Sequence, residues 1–379
     1  MRRKFSLLAL LFTLTIGSVA FAESDNKDKQ DTPEEVKSFI KHHLKDAHYL
    51  ELFHGAKMPL PIIVWDDGIK FLMSSDFEKV EVKEIASADS TITFEKLIAT
   101  DSVAKDAKDY LYESMSSKYS IFHGKIVAAK HGDMLLKLRP DGKKKLTSHS
   151  SLIDFSITKT VLMTLIICVL LFFAFTGLSK SYRKGPIPRG FGRLLEPLVL
   201  FIRDDIAIPN IGEKHYKRYM SYLLTVFFFI WFVNLAGMTP LGINITGNIA
   251  ITLSLALITY LITQFTANKN YWGHIFWMPG VPVPMKLVLL PIELLGTIIK
   301  PFSLMIRLYA NITAGHVVLM SLIGLVFFAS NLFAFGSFFG LTLFLGVIEL
   351  LVAFLQAYIF TMLTALYFGA AVEEHHDEH

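Results

Sequence analysis

Apolar blocks dominate the chain from residue 155 onward and alternate with short polar segments. Three blocks, at about 160–176, 220–236 and 249–265, have the length that a helix needs to cross a hydrocarbon core of about 30 Å. Two further blocks, at 287–328 and 332–371, are much longer. The pattern predicts an all-α polytopic membrane protein whose membrane domain, 154–379, contains five membrane-crossing helices.

The last two blocks are too long for upright spans. At a rise of about 1.5 Å per residue, an uninterrupted helix over either block would be about 60 Å long, twice the thickness of the bilayer core. Pro291 and Pro301 offer kinks in the fourth block, and Ser330 and Asn331 can turn the chain into the fifth. We predict a long tilted hairpin, with two shorter spans per block as the alternative.

The N-terminal third has a different pattern. Residues 1–22 combine a basic start, a short apolar run and a small-x-small end, which is typical of a cleaved signal peptide; an uncleaved first span is the alternative. Residues 23–153 contain a helix-like segment at 33–46 and a hairpin pattern at 60–72 around an Asp-Gly turn. We expect residues 23–153 to form a small α+β domain that is exported from the cytoplasm.

Composition narrows the function classes. The chain is 53% hydrophobic and only 18% charged, and its single cysteine, Cys168, lies in an apolar block, so no disulfide can hold the exported domain. His42, His43 and His48 match no metal-ligand spacing, and we expect them on a solvated helix face. The acidic, histidine-rich tail, 373–379, should also be solvated. Phosphate-binding, nucleophile and zinc motifs are missing from the sequence, so we expect neither an enzyme nor a cofactor, metal or nucleic-acid site.

The basic residues predict the orientation. They crowd the segment between the first two spans, at Lys180, Arg183, Lys184, Arg189, Arg193, Arg203, Lys214, Lys217 and Arg218. The next loop, 238–247, has none, so the crowded segment should be cytoplasmic. Within it, the apolar run 194–202 is too short to span and is expected in the interface plane. The exported N-terminus that the signal peptide predicts then agrees with a cytoplasmic C-terminus after five crossings.

Arg307 lies deep in the fourth block, and no acidic residue occurs between Glu293 and Glu349. A guanidinium at the centre of a membrane helix costs about 2.5–3.5 kcal/mol on insertion scales, so it is retained where it meets a polar cavity or a partner charge. Snorkelling to the headgroups or pairing with a structural acid is the alternative, but long apolar stretches flank the residue on both sides. Arg307 is therefore a candidate functional residue.

The last two blocks carry further polar residues, namely Glu293, Lys300, Ser303, Asn311, His316, Glu349 and Gln356. On an ideal helix Asn311 shares a face with Arg307, and His316 falls on nearly the opposite side. Glu293 is about 21 Å from Arg307 along the axis. This spread favours separate routes on either side of Arg307 over one compact metal or catalytic centre.

The run from Ser303 to Gly315, which contains Arg307 and Asn311, is followed by Glu349 and by Gln356 within 355–360. This pattern resembles subunit a of the F-type ATP synthase membrane sector of bacteria, over roughly 155 to the C-terminus. The resemblance implies a non-catalytic stator subunit whose two half-channels carry protons to and from the c-ring carboxylates, coupling the proton gradient to ATP synthesis. Its implied partners are the c-ring, the peripheral-stalk b subunits, the remainder of the synthase and membrane lipids. Its implied location is a bacterial inner membrane, with the N-terminal domain in the periplasm and the C-terminus in the cytoplasm.

The resemblance also implies residue roles. Arg307 would face the ring and keep the two half-channels from short-circuiting. His316 and Glu349 would serve the periplasmic half-channel, with acid and imidazole exchanged relative to many family members, and Glu293 would lie near the cytoplasmic exit. Asn311, Gln356 and Ser303 would be polar neighbours of Arg307, although helix-to-helix hydrogen bonding is an equal alternative for the two amides.

Two alternative functions are possible for the whole chain. A stand-alone ion channel or secondary transporter could use Arg307 to bind an anion, but no inverted repeat is evident in the sequence. A membrane anchor for the exported domain would not need so many intramembrane ionisable groups. The resemblance says little about the exported domain, which is larger than the family usually needs, and we expect it to dock at the periplasmic rim of the complex.

Overall fold

The structure is a computed structural model that describes residues 46–51, 57–66, 68–86, 91–96, 109–114, 119–122, 125–128, 135–138, 144–146, 153–183, 192–238, 245–277, 282–327 and 331–373. The predicted signal peptide, nearly all of the helix predicted at 33–46, and His42 and His43 lie outside the described residues, as does nearly all of the C-terminal tail. The described chain divides into an N-terminal unit, 45–162, and a membrane unit that begins at residue 163.

The N-terminal unit is built from antiparallel strands. They are β1 Tyr49–Glu51, β2 Lys57–Pro59, β3 Pro61–Trp65, β4 Ile69–Met73, β5 Phe77–Ala86, β6 Thr91–Lys96, β7 Asp109–Ser114, β8 Ser120–Phe122, β9 Lys125–Val127, β10 Leu135–Leu138, β11 Lys144–Leu146 and β12 Ile153–Asp154. They form a two-stranded sheet β1-β2, a seven-stranded sheet β11-β10-β6-β5-β7-β8-β9 and a three-stranded sheet β12-β3-β4. The hairpin predicted at 60–72 is confirmed, because β3 and β4 pair around Gly68, whose φ of 142° suits glycine.

The core of this unit follows from the alternation along β3. Ile62 and Val64 point inward and pack with Phe77, Tyr119 and Ile121.

The prediction of a solvated position is wrong for His48, which is only 4% exposed. Burial lowers the pKa of His48 because the charged imidazolium loses hydration, although Asp154 and Asp46 partly oppose the shift.

The membrane unit is built from α-helices. They are α1 Lys159–Tyr182, whose first turn belongs to the N-terminal unit, α2 Gly192–Phe201, α3 Ile208–Ile211, α4 Tyr216–Gly237, α5 Ile249–Thr266, α6 Lys269–Phe276, α7 Val283–Phe327 and α8 Leu332–Val372. Within the described residues, five of them (α1, α4, α5, α7 and α8) are long and apolar enough to cross a membrane. The predicted count of five spans is confirmed.

The two long blocks form one helix each. α7 has 45 residues and includes Pro291 and Pro301 without ending at either, and α8 has 41 residues. Helices of about 68 and 62 Å must run obliquely to remain in a 30 Å core. The alternative of two shorter spans per block does not occur in the described chain.

α8 is the element around which the membrane unit packs, since it contacts α3, α4, α5 and α7. Tyr219 of α4 stacks on Phe368 with ring centres 4.5 Å apart. A Cβ on Gly369 would overlap the backbone carbonyl of Asn210, so α3 approaches α8 at a position where only glycine fits. α5 packs against α7 and α8 and buries small residues, among them Thr252, Ala256, Thr259 and Thr263, which allow close helix approach.

Candidate functional site

Arg307 lies near the middle of α7 and is half-buried. No carboxylate of the described residues lies within ion-pair distance of its guanidinium. Its electrostatic neighbour is Tyr367 of α8, whose ring also lies 5.5 Å from Lys300 Nζ. Ser303, one turn earlier, is exposed beside Phe302 and Ile306. The chain therefore presents an intramembrane cation next to an open helix face.

A hydrogen bond joins the two long helices one turn beyond Arg307. Asn311 Nδ2 donates to Gln356 Oε1 at 2.9 Å. Gln356 is only 2% exposed, and its Nε2 has no hydrogen-bond partner among the described residues. The pair therefore joins α7 to α8 one turn from Arg307.

His316 and Glu349 meet across the hairpin. Nδ1 of His316 lies 3.8 Å from Oε1 of Glu349, and both side chains are nearly buried. The same Glu349 oxygen would lie 3.6 Å from a Cβ on Gly315, so the carboxylate rests against the α7 backbone. The structure thus brings together an acid and an imidazole that are far apart in sequence.

A cavity adjoins this pair and receives residues from the end of α4 and from the segment that precedes α5. Its polar lining comes from Asn234, Thr246, His316 and Glu349. Thr246 donates from Oγ1 to Asn234 Oδ1 at 2.9 Å, and both residues are buried. The cavity leaves about 10 Å³ for the centre of a water molecule, which is close to the room that one water needs.

In the described part of the chain, three polar atoms around this cavity have no protein partner: Asn234 Nδ2, His316 Nε2 and Glu349 Oε2. Buried polar groups normally find hydrogen bonds, because each unpaired one costs about 1–3 kcal/mol. The cluster is therefore suited to bind water and to pass a proton between water, imidazole and carboxylate.

A second cavity lies on the other side of Arg307. It is lined between α5, α6, α7 and α8, with polar groups from Thr259, Tyr260, Thr263, Gln264, Tyr271, Thr297, Lys300 and Tyr367. Burial raises the pKa of Tyr271, and Tyr260 and the Glu293 carboxylate add smaller contributions in the same direction. The predicted site residue Glu293 does not itself line the cavity. Tyr271 also accepts a hydrogen bond from Gln264 Nε2 at 3.4 Å.

Along α7, one cavity lies before Arg307 and the other lies after it. Lys300, in the second cavity, precedes Arg307 by about 10 Å of helix, whereas His316, in the first, follows it by about 14 Å. Neither cavity includes Arg307 itself in its lining. The arrangement consists of two separate polar spaces with a guanidinium between them.

Sequence reasoning found the α7 and α8 residues but missed those that other helices contribute. Asn234 sits in an otherwise apolar end of α4, and Tyr271 belongs to a short helix outside the spans. The one sequence feature that could have revealed a missed site residue was Asn234 itself, because it is a polar residue inside a predicted span. Its meaning depended on which neighbour it faced.

Comparison with known proteins agrees with this geometry. The family model described as ATP synthase A chain matches residues 161–369, more than half of the sequence. The chain belongs to this family. A second model, a domain of unknown function, matches residues 39–155 and so covers most of the N-terminal unit.

Relatives of this family member include proteins named ATP synthase subunit a. The one from Chloroherpeton thalassium is 42% identical over 59% of this chain and 70% of its own length. The one from Myxococcus xanthus is 43% identical over 60% of this chain and 77% of its own. For the one from Anaeromyxobacter dehalogenans, 42% identical over 60% of this chain, the match spans 61% of the relative's length.

Proposed function

We propose that this chain is the stator subunit of a rotary ATP synthase and carries protons to and from the carboxylates of a c-ring. The observation that carries the proposal is Arg307, an intramembrane cation without an acidic partner in the described chain, flanked by two polar cavities. The names of the relatives support the same function. Such a subunit is not catalytic, since the chemistry of ATP belongs to other chains of the complex.

A ring carboxylate is the charge that Arg307 lacks. A guanidinium does not deprotonate in proteins, so it can attract an ionised carboxylate and promote the loss of its proton without carrying the proton itself. The exposed side chains of Phe302, Ser303 and Ile306 surround it with a face that a neighbouring helix can cover. Protons cannot pass directly between the cavities, because the fixed charge between them repels a proton.

The first cavity serves the periplasmic half-channel in this proposal. It lies at the end of α4 that is remote from the basic segment between α1 and α4, and the positive-inside rule assigns that segment to the cytoplasm. Asn234 and Thr246 hold water there, while His316 and Glu349 relay the proton inward. Gln356 and Asn311 position the two long helices at the level of Arg307.

The second cavity serves the cytoplasmic half-channel. It lies at the opposite end of α5 and contains Lys300 and Tyr271, with Glu293 close to Tyr271. Protons leaving the ring pass through this polar space to the cytoplasm. The same orientation makes the chain a multi-pass inner-membrane protein with a periplasmic N-terminal domain, 23–153, after removal of a signal peptide, 1–22, and a cytoplasmic C-terminus.

The partners follow from the role. The exposed α7 face contacts the c-ring, and the peripheral-stalk b subunits hold the chain against rotation within the remainder of the synthase. Membrane lipids cover α1, which exposes Phe172 and Phe173 by 68% each. Phe side chains of this exposure are stable in hydrocarbon and costly in water.

Arg307→Ala tests the proposal in inverted membrane vesicles. We expect loss of ATP-driven proton pumping and of ATP synthesis while the complex still assembles, as judged by co-purification with the c-ring and ATPase activity. Arg203→Ala is the matched control, because Arg203 is an exposed cation that pairs with its neighbour Asp204 at 2.7 Å. Coupled transport at the control rate in an assembled Arg307 variant would overturn the proposal and favour a lone transporter.

A further inference from the structure

The three-stranded sheet of the N-terminal unit has one exposed apolar face. In the register of the sheet, Trp65 pairs with both Ile69 and Ile153, Ile63 with Phe71, and Pro61 with Met73, so these side chains lie on the same face. The face is exposed, with Phe71 at 73% and Phe155 at 61%. We call it the outer face, with the exposed members Trp65, Ile69, Phe71, Met73, Ile153 and Phe155.

The opposite face of the same sheet is the ordinary, core-facing one. Ile62 and Val64 are completely buried there, and Lys70 lies over the Tyr119 ring at 5.4 Å. No exposed member of the outer face is charged. Six such side chains make an apolar patch of several hundred Å², at least as large as the largest patch on a typical soluble monomer.

The outer face is tied directly to the start of a membrane helix. After β12 the chain keeps its pairing with β3, since Phe155 N donates to Ile63 O at 2.9 Å and Ile157 N to Pro61 O at 3.1 Å. Only Thr158 then precedes Lys159, the first residue of α1, so Phe155 lies within about 14 Å of that residue even along a fully extended chain.

The first turn of α1 is itself anchored in the N-terminal unit. Lys159 N donates to Ala47 O at 2.9 Å, and Asp46 Oδ1 accepts from the Thr160 hydroxyl at 2.8 Å and from its backbone N at 3.3 Å. An acidic cap is favourable at a helix N-terminus, so this attachment is stable as well as short. One residue later Val161 is 42% exposed, and it begins the apolar surface that α1 presents to lipid.

We propose that the outer face docks on the bilayer interface beside α1 and holds the N-terminal unit against the membrane surface. Only residues 156–158 separate Phe155, a member of this face, from the start of α1, a helix long and apolar enough to cross a membrane. The composition of the outer face is that of interfacial anchors, because Trp and other amphipathic or apolar side chains gather where the hydrocarbon meets the headgroups. The inference does not depend on the proton pathway.

Site-specific labelling in vesicles tests this docking. Because Cys168 is the only cysteine, Cys168→Ser provides a background into which Phe71→Cys can be introduced for an environment-sensitive fluorophore. The labelled full chain, within its purified complex, is reconstituted into phosphatidylcholine–phosphatidylglycerol vesicles. Lys70→Cys is the matched control, since the adjacent strand position takes the other face of the sheet.

We expect lipid-borne nitroxides to quench the label at position 71 several-fold more than the label at position 70, and aqueous iodide, present on both sides of the membrane, to show the reverse order. Equal access of iodide to both labels would place the outer face in water and overturn the proposal. Protection of position 71 from both quenchers would also overturn it, because the face would then be covered by protein, either a second copy or another subunit.

Discussion

Asn234→Leu probes the polar lining of the first cavity. Leu keeps the approximate size and branching of Asn but removes the acceptor for Thr246 Oγ1, which lies 2.9 Å away, and the amide that faces the cavity. Thr246 is 2% exposed and would be left without this partner, and a water in the cavity would lose one of its polar neighbours. The carboxylate and imidazole of the Glu349–His316 pair would remain in place.

The expected effect can be estimated from hydrogen-bond energies. A buried polar group that loses its partner is destabilised by about 1–3 kcal/mol. If half of that cost, about 0.5–1.5 kcal/mol, falls on the cavity water, its occupancy decreases about 2- to 12-fold, since about 1.4 kcal/mol corresponds to a factor of ten. We therefore expect proton pumping through this half-channel to slow by about 2- to 12-fold, without loss of assembly.

The assay is ATP-driven acidification of inverted vesicles, followed with a pH-sensitive dye, together with ATP synthesis by energised vesicles. Asn234→Asp should retain most of the rate because a carboxylate still binds water, and Val233→Leu, at an adjacent apolar lining position, controls for added volume. Pumping by an assembled Asn234→Leu complex at the rate of Val233→Leu would refute the assignment of this cavity to the pathway.

Two further predictions concern stability. Gly369→Ala should destabilise the membrane unit by about 1–3 kcal/mol or more, because the new methyl group overlaps the Asn210 carbonyl. Gly340→Ala, in open space on the same helix, should be tolerated. Equal yields and equal melting temperatures of the two variants in detergent would contradict this reasoning. The pKa of His48 is lowered in the folded unit, so stability is full above pH 6.5, the ordinary value, and decreases as the pH falls through it. Limited proteolysis of the full chain between pH 5 and 7.5 measures this, and His48→Phe should reduce the dependence if the reasoning holds.

The number and type of spans could be read directly from the sequence. An apolar block long enough to cross a bilayer is a local property, and each of the five blocks forms a single helix. The same holds for Arg307, because an isolated charge in an apolar helix demands an explanation wherever the helix packs. The hairpin at 60–72 was also local, since strand alternation and a glycine turn decide it.

The side chain that each polar group contacts could not be predicted from the sequence. The 3.8 Å approach of His316 to Glu349 and the hydrogen bond from Asn311 to Gln356 depend on how α7 and α8 are rotated about their axes. A span that is apolar almost all round carries little information about that rotation. Prediction also failed for His48, whose burial results from the fold of the N-terminal unit and not from its neighbours in sequence.

The sequence by itself determined that five spans form, that the last two are much longer than the others, and which side chains carry charge. Only the tertiary structure decided that Asn234 and Thr246 join the His316–Glu349 pair in one cavity, while Lys300 and Tyr271 line another. The physical reason is that helix length and hydrophobicity depend on consecutive residues. The cavities, in contrast, depend on which residues of separate helices face one another, as Thr259 of α5, Thr297 of α7 and Tyr367 of α8 do in the second cavity.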